Sequence, residues 1–490
     1  MVSRRWIGAA AVAVTGLVAA CAPPSEPLVP LPGGPTTVVP AAPDSTGPLR
    51  LEGGALVDAR GRQVLLHGTN MVIKAEPWLP DETILGRADL DYLRAHGVNA
   101  VRLGVWYDQV VPRVGEVDTA YLDRLEQVVD RLTEAGLWVL FDFHQDVFWG
   151  MPEWATTPTA AALSDEHPAF LDVIGWAAAY TSPRSIQQWR DVILDAPTAT
   201  DPSRTIWDAL GDGAAALAER FAGNPRVVGI ELLNEPFPGE WYLECILVGC
   251  GWLENLLADH YDGVTARIRA VAPDMVVWWE TFVSAPHYGP TFMRAPADPQ
   301  VGFAWHAYCS GTDGGSAEAA PELEVLRCRG LLGSAWERAM ALADSWGRPA
   351  LMTEFGASRN PLDATIATRE ADRHLSSWFH WHHRFLGDDG TPPAQPADVE
   401  SQLTRTYPEA TAGTPLELSF DPASGAARYR FTPDPAATGP TSIVVPAAQY
   451  PAGYDVVVQG GSASSAADSA RLEVVADPGA AEVVVSVTRR

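Results

Sequence analysis

The chain has 490 residues, a formal net charge of −27, a hydrophobic content of 47% and 18 Trp. That length is more than one ordinary domain needs and suits a large folded body with an appended module. The acidic balance argues against nucleic acid as a partner and against electrostatic adsorption to anionic membranes.

At the N-terminus Arg4 and Arg5 precede an apolar stretch from Ile7 to Ala20, and Cys21 follows. A positive flank, a short apolar run and small residues make a bacterial-type secretory signal over 1–21. The run is too short for a comfortable membrane span. Cys21 directly after Ala19 and Ala20 resembles a lipoprotein signal, in which that Cys is lipidated and becomes the mature N-terminus, although Val18 stands where such signals usually carry Leu. The expected location is outside the cell, either secreted or held at the outer side of the membrane as a lipoprotein. Residues 22–48 are rich in Pro, Ser and Thr and form an extended linker with little to bury.

Residues 49–400 carry the pattern of a parallel barrel. A small hairpin turning at Asp58–Gly61 leads into apolar runs at 65–72, 100–106, 138–144, 227–235, 275–280, 301–308, 349–355 and 374–381. Helix-length spacers fall between most of them, around 88–96, 119–135, 204–222, 252–271, 334–346 and 362–373. Eight such alternations predict a (β/α)8 TIM barrel in the α/β class. The spacer 145–203 is far longer than a normal loop and predicts a lid or subsite wall. Residues 386–398 read as a loop. From there the sequence changes to short alternating runs, which predict a C-terminal antiparallel β-sandwich over 401–490. A structural module packed on the barrel is expected of it, ahead of a carbohydrate-binding one.

Beyond Cys21, four cysteines remain, an even number that suggests disulfides in an exported protein. Local pairing is expected, Cys245 with Cys250 and Cys309 with Cys328, each stapling a loop just after a barrel strand. No Cys/His arrangement has zinc spacing, so neither a metal nor a cofactor is expected.

The strand ends converge on one chemistry. Arg102 ends the second strand and His144 the third. Asn234 and Glu235 end the fourth, His306 and Tyr308 the sixth, Glu354 the seventh, and Trp381 or Trp378 the eighth. Any one of these has an ordinary explanation: a lone His in an apolar strand is usually a hydrogen-bonded core residue, and a Glu after a strand serves as a helix cap. In a barrel, though, all of these tips surround one pocket on the C-terminal face. Two carboxylates on two strand ends predict glycoside hydrolysis. Glu235 is the expected acid/base and Glu354 the nucleophile, held ionised by donors from Arg102 and Tyr308. Asn234 is expected on the sugar 2-hydroxyl, His144 and His306 on sugar hydroxyls or orienting the acid, and the eighth-strand Trp beneath the ring. Glu280, ending the fifth strand, is either a further subsite residue or structural.

Asn234-Glu235-Pro236 on strand four and Thr353-Glu354-Phe355-Gly356 on strand seven, with Arg102, His144, His306 and Tyr308, resemble glycoside hydrolase family five. The segment FDFHQDVFWG, the strand LLNEPFPG and the TYPEATAGTPLEL stretch ahead of a sandwich are similar to its endoglycoceramidase branch. That resemblance implies a retaining cleavage between the oligosaccharide and the ceramide of a glycosphingolipid presented in a membrane or micelle, with no obligatory protein partner. It also implies that Lys74 and Asp146 bind the first sugar. Trp381 is preferred over Trp378 as the floor of the site. Phe148, Trp149, Trp154 and Trp241 are candidates for an apolar slot for the lipid. A β-glucanase or mannanase of the same barrel family is the competing enzyme, and an idle sugar- or lipid-binding lipoprotein the competing binder. Intact Glu235, Glu354, Arg102, Asn234 and Tyr308 argue against the latter.

Overall fold

The structure, a computed structural model, describes residues 47–81, 84–169, 178–309, 322–357, 360–382 and 397–490. The expected signal, Cys21, nearly all of the linker and most of the 386–398 loop lie outside the described residues.

Three short strands come first: β1 Arg50–Glu52, β2 Ala55–Val57 and β3 Gln63–Val64. Eight more close a barrel: β4 His67–Met71, β5 Ala100–Val105, β6 Trp138–Phe143, β7 Val227–Glu231, β8 Val277–Glu280, β9 Val301–His306, β10 Ala350–Gly356 and β11 Ser377–Trp381. They pair in parallel in chain order, and β11 returns to β4 through Trp378↔His67. The helices that cover the barrel include α1 Arg87–Ala95, α2 Thr119–Glu134, α3 Pro183–Ile193, α4 Ile206–Phe221, α5 Gly251–Val271, α6 Glu322–Trp346 and α7 Pro361–His374. Their boundaries follow from sequence. Asp118 caps α2 by accepting from the Tyr121 N–H, Thr205 caps α4, and Pro361 opens α7 behind an Asn360 cap. The 145–203 spacer contains α3, whose Trp189 is buried against the barrel.

The C-terminal strands are β12 Tyr407–Thr411, β13 Gly413–Asp421, β14 Ala426–Pro433, β15 Thr441–Val444, β16 Tyr454–Gln459, β17 Gly461–Ala463, β18 Arg471–Ala476 and β19 Val483–Arg489. They form two layers, β13-β14-β19-β16 and a seven-stranded sheet β1-β2-β3-β12-β15-β18-β17. The opening hairpin thus belongs to the sandwich by hydrogen bonding, with Val64 opposite Ala410, although it precedes the barrel in sequence. Its apolar side serves the barrel: Leu49, Leu51 and Leu56 pack with Ala100, Leu140, Val228 and Trp278. Gln300 locks it there, accepting from the Leu51 N–H at 2.8 Å and donating to its carbonyl at 3.0 Å.

The sandwich is fixed to the barrel by buried polar contacts. Tyr407 donates to the Gly97 carbonyl at 2.9 Å and stacks on His67 at the start of β4. Arg405 pairs with Asp372 of α7. Loops 97–99 and 135–137, which feed the N-terminal ends of β5 and β6, also face the sandwich residues Glu409, Val444 and Arg471. The C-terminal domain therefore occupies the end of the barrel opposite the strand tips that carry the chemistry.

Candidate active site

Side chains alternate across each strand, so β5 sends Ala100 and Arg102 inward while Val101, Leu103 and Val105 pack against the helices. The barrel interior is consequently layered. An apolar layer around Ala100, Leu140 and Val228 lies toward the sandwich. A layer of buried charge sits above it, and the reactive groups sit above that.

The charged layer is built on Arg102, which is fully buried. Its Nε donates to Glu231 at 2.8 Å, and Nη2 reaches Asn234 at 2.8 Å and Asp142 at 2.9 Å. Nη1 donates to Glu354 at 2.5 Å and Asn70 at 3.0 Å. Burial disfavours the guanidinium charge, but Asp142, Glu231 and Glu354 outweigh it and hold the pKa well above its ordinary value. Glu231 also accepts from the Thr353 hydroxyl at 3.2 Å; its pKa is raised, because burial and the neighbouring carboxylates exceed what Arg102 returns.

Glu354 stands at the tip of β10, with Oε1 on Arg102 and Oε2 accepting from the Tyr308 hydroxyl. Burial raises its pKa, while Arg102, His144 and Tyr308 pull it back toward the ionised form. Glu235 lies four residues past the end of β7, just before Pro236. Its φ of 42° is left-handed, a conformation a Glu keeps only when its surroundings impose it. Two partners do so: its N–H donates to Glu280 at 2.8 Å, and its carbonyl accepts from Gln145 at 3.0 Å. Gln145 bonds the Asn234 carbonyl as well, at 2.7 Å. The Glu235 carboxylate is 2.8 Å from His306 Nδ1. One oxygen of Glu235, one ring nitrogen of His306 and one oxygen of Glu354 all lie within 4.8 Å of one another. Burial, with Arg102, His144 and His287 nearby, depresses the His306 pKa and keeps the ring neutral.

On the other side, His144 Nδ1 is 2.7 Å from Asp142, and Nε2 is 3.4 Å from Asp146. Burial disfavours the imidazolium, but these two carboxylates push its pKa up to about 9. Asp146 pairs with Lys74 at 2.6 Å, and Lys74 lies 4.7 Å from the centre of the Trp381 ring, which stacks on His144. Burial opposes the Asp146 charge, yet Lys74 and His144 depress its pKa strongly. The turn that presents Asp146 is unusual. Asp146 and Trp149 exchange backbone hydrogen bonds at 3.0 and 2.7 Å, and Val147 and Phe148 both have positive φ. Gly150 completes it, since a Cβ there would come 2.3 Å from the Trp106 ring.

The structure thus brings together Arg102, His144, Asn234, Glu235, His306, Tyr308 and Glu354, with Lys74, Asp146 and Trp381 beside them. Trp149 reaches the rim, 41% exposed and edge-on to Trp106. Trp241 follows Glu235 on its own loop and meets Trp252 edge-on. Trp378 does not belong to the site. Strand alternation turns it away from Trp381, and it is buried on His67 with ring centres 4.4 Å apart. Phe148 and Trp154 are core residues and do not line a lipid slot: one packs on Trp189 and the other donates to the Val111 carbonyl. The cysteines pair as Cys245–Cys250 and Cys309–Cys328. Among the described residues, three acidic or thiol clusters have metal-ligand proximity. Two of them are centred on His306, with Glu235 and Glu354 or with Glu231 and Glu280, and the third contains the Cys309–Cys328 disulfide.

Asn70, Asp142, Gln145 and Glu231 were not singled out from sequence. Asp142 and Glu231 did leave a signal, each a lone carboxylate inside an apolar strand and so in need of a buried cation.

A closed parallel barrel with two carboxyl groups this close at the tips of β7 and β10 defines a glycoside hydrolase of retaining geometry. Residues 57–384 match Cellulase (glycosyl hydrolase family 5), and residues 405–488 match the Glycoside hydrolase family 5 C-terminal domain. The chain belongs to glycoside hydrolase family 5, in its endoglycoceramidase branch. It is 37% identical to Endoglycoceramidase I of Rhodococcus hoagii (strain 103S) over 92% of this chain and 89% of that protein. It also resembles Endo-glycoceramidase II from Rhodococcus sp. in complex with ganglioside GM3, with a TM-score of 0.74 and 25% identity over 90% of this chain and 100% of the other. The lactosyl-enzyme intermediate of that relative superimposes with a TM-score of 0.73 and 25% identity over 89% of this chain and 100% of the other.

Proposed function

We propose that the enzyme hydrolyses the β-glycosidic bond between the oligosaccharide and the ceramide of glycosphingolipids, with retention at the anomeric carbon. The observation that carries this reading is the Glu235–Glu354 pair within 4.8 Å, with Arg102 and Tyr308 both committed to Glu354. Retaining enzymes hold the two carboxyl groups roughly 5–5.5 Å apart, and inverting ones leave about 6.5–9.5 Å for a water. Glu354 attacks the anomeric carbon as Glu235 protonates the departing ceramide oxygen. Glu235 then takes a proton from water, which displaces the sugar from Glu354. Asn234 is oriented by Arg102 to meet the sugar 2-hydroxyl. Lys74, Asp146 and His144 face the first sugar, whose ring lies on Trp381. The relatives named for ceramide-linked sugars, and the ganglioside bound in one of them, support the substrate class.

The Arg4-Arg5 flank, the short apolar run and the two disulfides support action outside the cell, on substrate presented by a membrane or micelle. Incubation with glycosphingolipids in detergent, followed by mass analysis, should give intact oligosaccharide and ceramide. Stepwise release of monosaccharides, or activity confined to polysaccharides, would refute the reading. Glu354→Gln should abolish turnover. Glu235→Gln should suffer most with poor leaving groups and least with an activated aryl glycoside; equal losses on both would contradict its role as the acid.

A further inference from the structure

Two loops at the reactive end of the barrel carry an apolar surface that the chemistry leaves unused. One follows β7 and runs through the short helix Tyr242–Leu247 into α5; the other follows β8. Leu247, Val248, Trp252 and Phe292 are each 52–68% exposed. Other exposed large apolar residues, such as Val271, Leu416 and Val457, lie on separate elements.

The surface is one body. Phe292 covers both Gly249 and Gly251, where an added Cβ would come within 2.5 and 2.9 Å of its side chain. Gly289 sits so close to the other loop that a Cβ would be 2.7 Å from the Cys245 carbonyl oxygen. Both loops are pinned from within. The Cys245–Cys250 disulfide closes the first. In the second, the buried Glu254 accepts from the Phe292 N–H at 2.6 Å and the Thr291 hydroxyl at 2.7 Å. These bonds hold the backbone in place while the side chains face water, so the exposure is built in. The loop that carries Phe292 also reaches the site: Tyr288, four residues earlier, packs against the cluster of Val72, Trp106, Tyr308 and Trp381.

We infer that this disulfide-held knob docks the enzyme on the apolar interior of an uncharged lipid surface, beside the pocket that receives the sugar. The inference rests on the proposed function, which requires a substrate whose ceramide is buried in lipid. Charge decides the kind of surface. The segments 241–252 and 286–293 carry one ionisable acid, Glu244, and no Lys or Arg, on a protein of net charge −27. Attraction to anionic headgroups is thereby ruled out as the driving force, which leaves burial of apolar side chains.

The test compares the full chain with Leu247→Ser/Val248→Ser/Phe292→Ser, both carrying Cys21→Ser so that no lipid anchor contributes. Two substrates are used: a glycosphingolipid in phosphatidylcholine vesicles and a soluble aryl glycoside. The triple variant should lose about tenfold or more on vesicles and in vesicle co-sedimentation, and stay within about twofold on the aryl glycoside. Equal vesicle activity, or an equal fall on both substrates, would overturn the inference. So would binding that requires phosphatidylserine, or a self-association abolished by the triple variant while vesicle binding stays unchanged. If the unsubstituted enzyme fails on glycolipid in detergent micelles, the functional reading falls instead, so the two failures are distinguishable.

Discussion

Tyr308→Phe isolates one contact of the nucleophile. The hydroxyl donates to Glu354 Oε2, while Arg102 serves Oε1 at 2.5 Å. Removing the hydroxyl takes a donor from the ionised carboxylate and so favours the protonated form. A hydrogen bond to a charged group contributes about 1.5–3 kcal/mol. With one pKa unit equal to about 1.4 kcal/mol, the Glu354 pKa should rise by roughly 1–2 units. Burial has already raised it, and Tyr308 is one of the groups opposing that rise. The acid limb of kcat/KM, which reports the free enzyme, should therefore move to higher pH by the same amount. The ring itself stays, packed with Val72, Trp106 and Trp381, so no cavity opens and the loss of stability at neutral pH should not exceed that of the hydrogen bond, about 1.5–3 kcal/mol. The assay is kcat/KM against pH with an activated aryl glycoside, which does not depend on a proton from Glu235 in its first step. A folded variant whose acid limb stays put or moves down would refute the assignment of Tyr308 as the donor that keeps Glu354 ionised.

Three further outcomes follow from particular contacts. Trp381→Ala should lower kcat/KM with little effect on unfolding, whereas Trp378→Ala should cost about 3–5 kcal/mol in urea unfolding and leave KM unchanged; the reverse pattern would return Trp378 to the site. Replacing each cysteine pair by Ser should destabilise in order of loop length, by roughly 2 kcal/mol for Cys245–Cys250 and roughly 3 kcal/mol for Cys309–Cys328, since the pairs span 5 and 19 residues. Stability should fall as pH rises from about 7 to 9. His144 is buried, yet Asp142 and Asp146 push its pKa up to about 9. It binds more protons folded than unfolded, so its stabilisation fades between 6.5 and about 9. Below that window the buried His67, His287 and His306, whose pKa values are depressed, act in the opposite direction. Urea midpoints that climb over pH 7–9 would contradict this.

The eight barrel strands were legible because each is an apolar run ending in a polar residue, and parallel strands are buried on both faces. Pairings between segments distant in sequence were not. Nothing local in Gln63-Val64 announces that it aligns with Ala410 and Thr411, so the opening hairpin looked like a prelude to the barrel and is an edge of the sandwich sheet. Trp378 and Trp381 show the same limit on a smaller scale. Three residues apart in a strand, they face opposite sides, and the sequence offered both as floors for a sugar. The core packing of Phe148 and Trp154 was hidden for a related reason: their loop folds back on α3 and on the segment after β5, and no periodicity marks that return.

The site's outer groups could be read from the strand tips, but what makes them reactive lies one layer deeper. Arg102 was expected to serve Glu354 alone. In the barrel it also meets Asp142, Glu231, Asn70 and Asn234, so one guanidinium fixes the nucleophile, the amide beside the acid, and the carboxylate that charges His144. The geometry of Glu235 has the same source. Its left-handed backbone is held by Glu280 on the N–H and by Gln145 on the carbonyl, residues brought from two other strand ends. A Glu after an apolar strand is an ordinary feature of a sequence. Held in a strained conformation within 4.8 Å of a second carboxylate and hydrogen-bonded to a neutral His306, it is positioned for proton transfer to a leaving oxygen.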